Sequence, residues 1–422
     1  MNILIINTTD RSGGAAIAAA RLKNSLINLG EKARMLVAHK EGDDLATFDA
    51  SRPLRYKAGW LCERLGIFLH QGLSKAHLWD IDPATAGMDI TALPEFKEAD
   101  VVHLHWLNQG FLSLKVLSKI LSSGKPVVWT MHDAWPFTGL CHSPLDCRNF
   151  QQQCGNCMLL RRRGDHDWSH KVWKKKSDIY NNVGRIAFVG CSKWLADMAR
   201  SSSLLSGQMV LDIPNPIDTY MFTPRDKEEA RRQLGLPADK KLILFSAYNV
   251  NAPIKGLSFL HEALRLLVEK DSAMANEIGI VYAGKGTEQL SGQWSMDNGQ
   301  YPLGYVTNPR QMATIYNAVD LFCIPSLQEN LPNTIMEAKA SGVPTVGFDV
   351  GGIPQMIDHL HDGYLAKAKD AADLARGIEW TLFEADGSDL AQRNRTAAVE
   401  QYSEARVAKK YLKLYKELGV NS

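Results

Sequence analysis

Two glutamates separated by seven residues are the first candidates for chemistry in this chain. Glu329 and Glu337 lie within residues 326–354, where an apolar run is followed by a polar loop, a helical pattern and a second apolar run. A turn at Gly351 and Gly352 closes the stretch. Strand, loop, helix and strand in this order are typical of an α/β nucleotide site.

The start of the predicted helix explains what the two acids would do. Asn333 is a residue type that caps helix N-termini, so the backbone amides of Asn330 and Leu331 would lie at the positive end of the helix, which binds phosphate. Glu337, near the first turn, would accept hydrogen bonds from a ribose diol. Glu329 would reach past the phosphates to the group attached to them. From spacing alone, two ordinary acids near a helix N-terminus remain an equal alternative.

The same stretch carries a longer pattern: an acid, a proline, a second acid, then A-x-G-x-P and GG-[IV]-P. It resembles the donor-site signature of retaining nucleotide-sugar glycosyltransferases of the GT-B class, specifically glycosyltransferase family 4. The family usually has an acid after the last proline, where this chain has Gln355. The resemblance covers nearly the full chain and is densest from residue 210 onward. Its elements here are Glu329, Pro332, Glu337, Ala340, Gly342, Pro344 and residues 351–354.

The resemblance implies an α/β protein of the GT-B fold, with two Rossmann-like domains facing each other across a cleft. A length of 422 residues suits two domains. A proline-containing segment resembles the family's interdomain linker, with Pro216 in place of the usual glycine. The predicted divisions are an acceptor-side domain (1–212, with a Cys-rich insertion at 141–157), a linker (213–224), a nucleotide-sugar donor domain (225–398) and a C-terminal helix that crosses back to the first domain (399–422).

Contacts to the donor diphosphate follow from the resemblance in the second half of the chain. Lys255, directly before Gly256, matches a lysine that grips the diphosphate. The arginine that the family usually has shortly after the preceding strand is absent from residues 246–249, where Asn249 is assigned to the donor site. The group that replaces this arginine is not identified by the sequence.

Two glycine-containing loops complete the predicted donor site. Gly304, Tyr305 and Val306 resemble the segment whose backbone reads the nucleobase, a mode that does not separate uridine from guanosine. Gly13 and Gly14 follow an apolar run and precede a helical pattern. In the resembled family the matching loop approaches the donor diphosphate; the alternative is a tight strand-to-helix turn without a ligand.

The catalytic assignments also rest on the resemblance. His132 ends a predicted strand and would position the sugar, while Asp133 would orient the imidazole or bind the acceptor. Glu329 would hold sugar hydroxyls, and Lys255 would stabilise the charge that develops on the leaving phosphate. No residue is an obvious nucleophile, which agrees with front-face attack by the acceptor hydroxyl. The implied activity is retaining hexosyl transfer (EC 2.4) without a catalytic metal or other cofactor.

Four cysteines form an unusual cluster in the first half. Cys141, Cys147, Cys154 and Cys157 have five, six and two residues between them. Four thiolates could hold a structural zinc, and His142 could replace one ligand. Reduced free thiols or a redox pair are the alternatives. Four thiolates would leave no open coordination position, so a catalytic zinc is not expected.

Two further segments suggest contact with lipid. Residues 51–79 mix aromatic and leucine residues with Arg, Lys and His. This composition is typical of a helix at a membrane surface or of an apolar entrance for the acceptor. A core-facing helix pair is the alternative. A basic run would contact anionic lipid or an acidic acceptor such as a diphospholipid, or would simply be a solvated helix face. The run consists of Arg161, Arg162, Arg163, Lys171, Lys174, Lys175 and Lys176, with Trp168 and Trp173 between them.

The bulk properties restrict compartment and partners. A net charge of +2 does not suggest nucleic acid, and no run of about 18 apolar residues predicts a spanning helix. The first residues do not form a signal peptide, and seven cysteines argue against a disulfide framework. We therefore expect a cytoplasmic protein at the inner face of the cytoplasmic membrane.

The expected partners are a UDP- or GDP-sugar donor and a glycan or lipid-linked glycan acceptor, in the synthesis of cell-envelope polysaccharide or glycolipid. Two other functions remain open. A non-catalytic sugar-nucleotide-binding subunit would bind nucleotide without releasing it from a donor. A sugar-nucleotide epimerase of the same two-domain shape would convert the donor with no acceptor present.

Overall fold

Two parallel sheets, one in each of two structural units, organise the chain. The computed structural model describes residues 1–50, 53–181, 183–290 and 299–420. The first unit comprises Met1–Pro216 and the chain from Val407 onward, and the second comprises Ile217–Arg406. The prediction of two Rossmann-like α/β domains is confirmed by these parallel sheets, each of which is surrounded by helices.

The first unit is built on a parallel sheet and the helices that connect its strands. The described strands are β1 (Asn2–Thr9), β2 (Lys32–His39), β3 (Thr47–Asp49), β4 (Val101–Leu104), β5 (Val127–Met131), β6 (Ile186–Gly190) and β7 (Met209–Asp212). They pair in the order β3-β2-β1-β4-β5-β6-β7, the arrangement of a doubly wound nucleotide-binding sheet. The helices are α1 (Gly14–Asn28), α2 (Pro53–His70), α3 (Pro94–Glu98), α4 (Leu114–Leu121), α5 (Trp168–Tyr180) and α6 (Lys193–Arg200).

Side-chain alternation divides the core of this unit between the two faces of the sheet. Along β1, Ile3 and Ile5 belong to one buried cluster and Leu4 and Ile6 to the other. Both faces are covered, so β4, β5 and β6 are buried along their whole length. The continuous apolar runs in the sequence follow from this double burial. Ser192 caps α6 by accepting a hydrogen bond from the Leu195 amide.

The second unit repeats this plan with a smaller sheet. Its described strands are β8 (Lys241–Asn249), β9 (Ile278–Lys285), β10 (Gln300–Pro302), β11 (Leu321–Ile324), β12 (Thr345–Phe348) and β13 (Gly363–Ala366), and they pair in the order β10-β9-β8-β11-β12-β13. The helices are α7 (Lys227–Leu234), α8 (Leu257–Lys270), α9 (Met274–Glu277), α10 (Pro309–Ala318), α11 (Asn333–Ala340), α12 (Ala371–Glu379) and α13 (Gly387–Tyr402). In the ranges that the structure describes, no helix is long and apolar enough to cross a membrane.

The predicted C-terminal helix, 399–422, is wrong in its bounds. Helix α13 ends at Tyr402, Ser403 has an extended backbone (φ −57°, ψ 142°), and a new helix, α14 (Glu404–Glu417), follows. The interruption at Ser403 lies four residues before Val407, where the chain rejoins the first unit. Residues of α14 then join the core of the first unit.

Buried hydrogen bonds fasten α14 to the sheet of the first unit. The imidazole of His103 on β4 lies between two hydroxyls, with Nδ1 at 2.7 Å from Tyr415 Oη and Nε2 at 2.8 Å from Thr130 Oγ1. Thr130 Oγ1 is in turn 2.7 Å from Tyr411 Oη. Burial, together with the nearby His132, lowers the pKa of His103 to about 3. The imidazole is therefore neutral in the folded protein at neutral pH.

Replacing His103 should reduce the pH dependence of stability. Below about pH 6.5 an unfolded histidine takes up a proton that folded His103 refuses, so the free energy of unfolding falls as the pH falls toward 3. A single histidine contributes about 1.4 kcal/mol per pH unit to this slope. We expect His103→Gln to remove that contribution between pH 6 and 4, measured by urea unfolding at a series of pH values.

Tyr415→Phe is the matched control, because it removes a hydrogen bond to the imidazole and keeps the titrating group. It should lower stability at every pH and leave the slope unchanged. An unaltered slope in His103→Gln would contradict the assignment of a neutral, buried imidazole.

Candidate active site

The loop that carries Glu329, between β11 and α11, is held on one side by the turn around Gly256. A Cβ on Gly256 would lie 1.9 Å from the Pro325 carbonyl oxygen, and the residue has a φ of +72°. The Leu327 amide donates a 2.8 Å hydrogen bond to the Ile254 carbonyl. Both the close approach and the positive φ require glycine at position 256, directly after Lys255.

On its other side the same loop meets the Gly351–Gly352 turn. A Cβ on Gly351 (φ +57°) would lie 1.9 Å from the Glu329 carbonyl oxygen. The Gly352 amide donates a 3.0 Å hydrogen bond to that oxygen. The glycine pair that follows β12 thus contacts the main-chain carbonyl of Glu329 itself. The two turns together fix where the carboxylate can be.

The clamped loop places Glu329 against Lys255. The Lys255 ammonium lies 2.6 Å from Glu329 Oε1, and the two side chains are 32% and 15% exposed. A cation and a carboxylate at the carboxyl edge of a parallel sheet can together hold a ligand that carries both phosphate and hydroxyl groups. The structure thus brings together two of the three predicted catalytic residues.

The predicted N-cap of α11 is wrong. The N-cap is Pro332, and Asn333 is the first helical residue. Proline suits this position because its fixed φ, here −66°, is compatible with a helix start and its missing N–H costs nothing there. Glu337 is the fifth residue of the helix and so lies near its first turn, as expected. Its carboxylate is nearly buried and accepts a 3.3 Å hydrogen bond from Tyr316 Oη. Asn330 and Leu331 precede Pro332, and Leu331 is buried.

A second group of residues lies at the carboxyl edge of β8 and β9. Asn249, which ends β8, is paired in register with Lys285, which ends β9. The Lys285 ammonium donates a 2.6 Å hydrogen bond to Tyr248 Oη and lies 4.9 Å from the centroid of the Tyr305 ring. The predicted segment Gly304 to Val306 therefore contributes an exposed aromatic ring beside a cation.

Lys285 and Tyr248 are residues that the sequence reading missed. The available signal was a lysine between two glycines directly after an apolar run, at residues 284–286. Such a residue ends a parallel strand and projects at the ligand-binding edge of the sheet. Its position beside Asn249 places a cation next to the segment from which the expected arginine is absent.

In the first unit, Gly13 and Gly14 occupy the predicted turn between β1 and α1. Gly13 is the N-cap residue, with a φ of +90°, and Gly14 is the first helical residue. No atom lies within 4 Å of the position of a Cβ on Gly13, so its backbone angle rather than crowding requires glycine. Asp10 secures the turn by accepting hydrogen bonds from the amides of Glu41 and Gly42.

His132 directly follows β5 and contacts a histidine from the neighbouring strand. The Nε2 atom of His132 lies 2.9 Å from Nδ1 of His105, which follows β4. Burial lowers the pKa of His132 to about 4 and that of His105 well below its usual value. Both rings are therefore neutral at neutral pH, and one donates to the other. This pairing orients His132 at the carboxyl edge of the sheet.

Asp133 contacts the Cys-rich insertion through His142. Its Oδ2 atom lies 2.7 Å from His142 Nδ1 and accepts a 2.8 Å hydrogen bond from the Trp106 indole, while Oδ1 accepts from the Trp135 amide. Burial raises the pKa of Asp133, but the His142 charge and these hydrogen bonds outweigh burial, and the pKa is lowered. Conversely, Asp133 raises the pKa of His142 against the effect of burial. An Asp–His ion pair thus lies directly after His132 in sequence.

Lys176, predicted as part of a basic surface, is instead buried. Its ammonium donates hydrogen bonds to the carbonyls of Trp135 (2.5 Å) and Thr138 (3.0 Å) and lies 3.4 Å from the centroid of the Trp135 ring. Burial lowers its pKa to about 7. Lys176 is buried because it lies on the face of α5 that packs on the loop following His132. Lys171, Lys174 and Lys175 lie elsewhere on the helix and are exposed.

The four cysteines are free thiols, and three of them, Cys141, Cys154 and Cys157, lie in or against the core of the first unit. Burial, with a smaller contribution from the other thiols of the cluster, raises the pKa of Cys141 and of Cys154 to about 12. Over the described ranges, no group of three or more His, Cys, Asp or Glu side chains is arranged to hold a metal ion. His142 is engaged by Asp133. A structural zinc at Cys141, Cys147, Cys154 and Cys157 therefore stays a prediction without geometric support.

Comparison with known proteins identifies the second unit. The family described as "Glycosyl transferases group 1" matches residues 240–383. Residues 240–383 are therefore similar to a group 1 glycosyl transferase domain. The match contains Lys255, Glu329 and both clamping glycine turns.

Relatives and solved structures extend the likeness to the rest of the chain. D-inositol 3-phosphate glycosyltransferase of Corynebacterium aurimucosum is 28% identical over 79% of this chain and 76% of its own. Some other relatives match over only 40–48% of their own length. Sucrose-phosphate synthase of Thermosynechococcus elongatus (18% identity, TM-score 0.66, 99% and 98% of the two chains) and Anabaena HepE in complex with UDP (15%, 0.64, 99% and 100%) share the fold. Together these findings support a glycosyltransferase of the GT-B type.

Substituting the clamping glycines should cost more than substituting an unhindered glycine of similar conformation. Gly256→Ala and Gly351→Ala each force a Cβ against a carbonyl oxygen, so the loop must move. We expect each to lower the free energy of unfolding by about 2–4 kcal/mol, measured by urea unfolding. Gly235→Ala is the control, since Gly235 has a φ of +66° and no atom within 4 Å of its Cβ position. It should cost about 1 kcal/mol, and equal costs for all three variants would contradict the clamp.

Lys176→Met should destabilise the loop after β5. Two buried carbonyls lose their donor, and each orphaned group costs about 1–3 kcal/mol. We expect a total loss of about 2–5 kcal/mol in the free energy of unfolding. The neighbouring, exposed Lys175→Met should change stability by less than about 0.5 kcal/mol. If both variants behaved alike in chemical unfolding, Lys176 would not be a support of this loop.

Proposed function

We propose that this chain is a retaining glycosyltransferase of family 4, which transfers a hexosyl group from a nucleoside diphosphate sugar to an acceptor hydroxyl. The observation that carries the proposal is the Lys255–Glu329 pair, held by two glycine turns at the carboxyl edge of the second sheet. A ligand with a phosphate for Lys255 and a sugar hydroxyl for Glu329 satisfies both groups. Such a ligand is a sugar joined to a diphosphate.

The proposed step breaks the bond between the sugar C1 and the phosphate oxygen, whose electrons remain on the departing diphosphate. The acceptor oxygen forms its bond to C1 on the same face, and the acceptor proton passes to the departing phosphate oxygen. Lys255 and the amides of Asn330 and Leu331 stabilise the negative charge that develops there, so that catalysis needs no metal ion. Glu329 holds the sugar in place through its hydroxyls.

Nucleotide binding is assigned to three parts of the second unit. Glu337, held by Tyr316, accepts from the ribose hydroxyls. The backbone of Gly304 to Val306 reads the base, and a UDP complex of the similarly folded HepE is in keeping with a uridine donor. Lys285, beside Asn249, supplies the second positive charge that the missing arginine provides elsewhere in the family.

The first unit is proposed to hold the acceptor near His132 and to approach the diphosphate through Gly13 and Gly14. A neutral His132, oriented by His105, can accept a hydrogen bond from a sugar hydroxyl at neutral pH. We propose a glycan or lipid-linked glycan as acceptor, in cell-envelope polysaccharide or glycolipid synthesis at the cytoplasmic face of the membrane. The relative named for D-inositol 3-phosphate glycosyl transfer supports a polyol or sugar hydroxyl as the attacking group.

A nucleotide-release assay tests the proposed activity. UDP- and GDP-sugars are supplied with a cell-envelope lipid extract, and free nucleotide is measured. We expect release that requires the extract, and a fall of roughly 100-fold or more in kcat for Glu329→Gln and for Lys255→Met, because each removes a charged contact made in the transition state. Glu262→Gln, which alters an exposed glutamate on α8, is the control and should keep full activity.

The rival functions give different results in the same assay. A binding-only subunit would show a nucleotide-dependent rise in Tm without release from any donor. An epimerase would convert the donor sugar without extract. Unchanged turnover in Glu329→Gln and Lys255→Met would show that the site lies elsewhere.

A further inference from the structure

Helix α2 turns its apolar side toward solvent. Leu54, Leu61, Leu65 and Leu69 are 82%, 60%, 51% and 57% exposed. Their separations of seven, four and four residues place them in a single stripe along the helix. In an ordinary helix of a globular protein this stripe would face the core, so the alternative of a core-facing helix pair does not describe these leucines.

The opposite side of α2, which packs on the first unit, combines the buried Ile67 with two buried charged residues. Glu63 and Arg64 are nearly completely buried. Arg64 donates a 3.0 Å hydrogen bond to Asp82 and another to the Leu78 carbonyl, while Glu63 accepts from the Ala86 amide. These contacts fix the rotation of the helix about its axis. The leucine stripe cannot turn inward without removing Arg64 from Asp82, which would leave that buried carboxylate without its cation.

The surroundings of the stripe are basic. Arg55 and Lys57 are exposed on α2 itself. From residue 54 to residue 79, the only acidic residue in the sequence is Glu63, which is buried. The exposed surface of this segment therefore combines leucine with positive charge.

The arginine run is attached to the C-terminal end of the same helix. The Arg161 amide donates a 2.9 Å hydrogen bond to the Gln71 side chain, and its guanidinium donates to the Gly72 carbonyl at 3.0 Å. Arg162 and Arg163 follow and are exposed. Two segments that are about 90 residues apart in sequence thus form one surface of leucines bordered by cations.

We propose that this surface, the α2 leucine stripe with the attached arginine run, binds an anionic lipid bilayer. Leucines on one side of a helix enter the boundary between headgroups and acyl chains, while arginine and lysine contact lipid phosphates. A second copy of the chain fits less well, because self-association would bring the same cations together. The proposal does not depend on the transfer reaction.

Vesicle co-sedimentation of the full chain tests this surface. Vesicles of phosphatidylcholine with roughly one third phosphatidylglycerol are compared with vesicles of phosphatidylcholine alone. We expect binding to the anionic vesicles that weakens as salt is added. Leu61→Gln/Leu65→Gln should reduce affinity roughly 100-fold, about tenfold per leucine. Arg162→Gln/Arg163→Gln should reduce it by about fivefold per arginine.

Leu45→Gln, at a leucine that is 90% exposed outside α2, is the matched control and should bind as the unaltered chain does. All substituted side chains are exposed, so the unfolding midpoint should be kept and is measured in parallel. Absence of vesicle binding would overturn the proposal. So would equal binding to uncharged vesicles, or a concentration-dependent dimer that is lost in the double leucine variant. Because no donor is present, this result is independent of the nucleotide-release assay.

Discussion

The close approach of backbone segments around Glu329 is the constraint on which the proposed donor site depends. Gly256 and Gly351 each allow a main-chain carbonyl of the 325–329 loop to come closer than any side chain would permit. The loop itself has no regular structure, so its position comes from these two contacts and the hydrogen bonds beside them. The glycines of the signature are therefore structural supports of the acid, and Lys255 is delivered by the same turn that contains Gly256.

The first unit uses a different means to position its polar groups. Its candidate residues lie at the ends of β4 and β5 and are ordered by buried hydrogen bonds rather than by backbone crowding. His105 orients His132 through a hydrogen bond, and Asp133 binds His142. Lys176 donates hydrogen bonds to the carbonyls of the following loop. Buried networks of this kind are stable only when nearly every polar atom has a partner. The Cys-rich insertion, which supplies His142, is by this contact part of the same network.

Much of this arrangement could be predicted from the sequence, because apolar runs and glycine turns report local structure directly. The two parallel sheets and the acid-bearing loop follow from such patterns, while the Lys-Gly turn was predicted from the family resemblance. The N-cap of α11 could not be placed correctly, since Pro332 and Asn333 are adjacent and both suit a helix start. The burial of Lys176 could not be predicted from the sequence either, and for the α2 leucines the sequence left an exposed and a core-facing position open. Both depend on which side of a helix meets the core, and a lysine or leucine has no local signature of that choice.

The Lys255–Glu329 ion pair also has a consequence for the release of nucleotide in the proposed reaction. In the free protein the two charges satisfy each other, so the site presents little net attraction to a simple phosphate. In the proposed reaction, a donor sugar would separate the two residues and give each a new partner. A nucleotide that has lost its sugar would occupy Lys255 and leave Glu329, a largely covered carboxylate, without its cation. Re-formation of the ion pair would then favour departure of the nucleotide, so that the resting contact would compete with the product for Lys255.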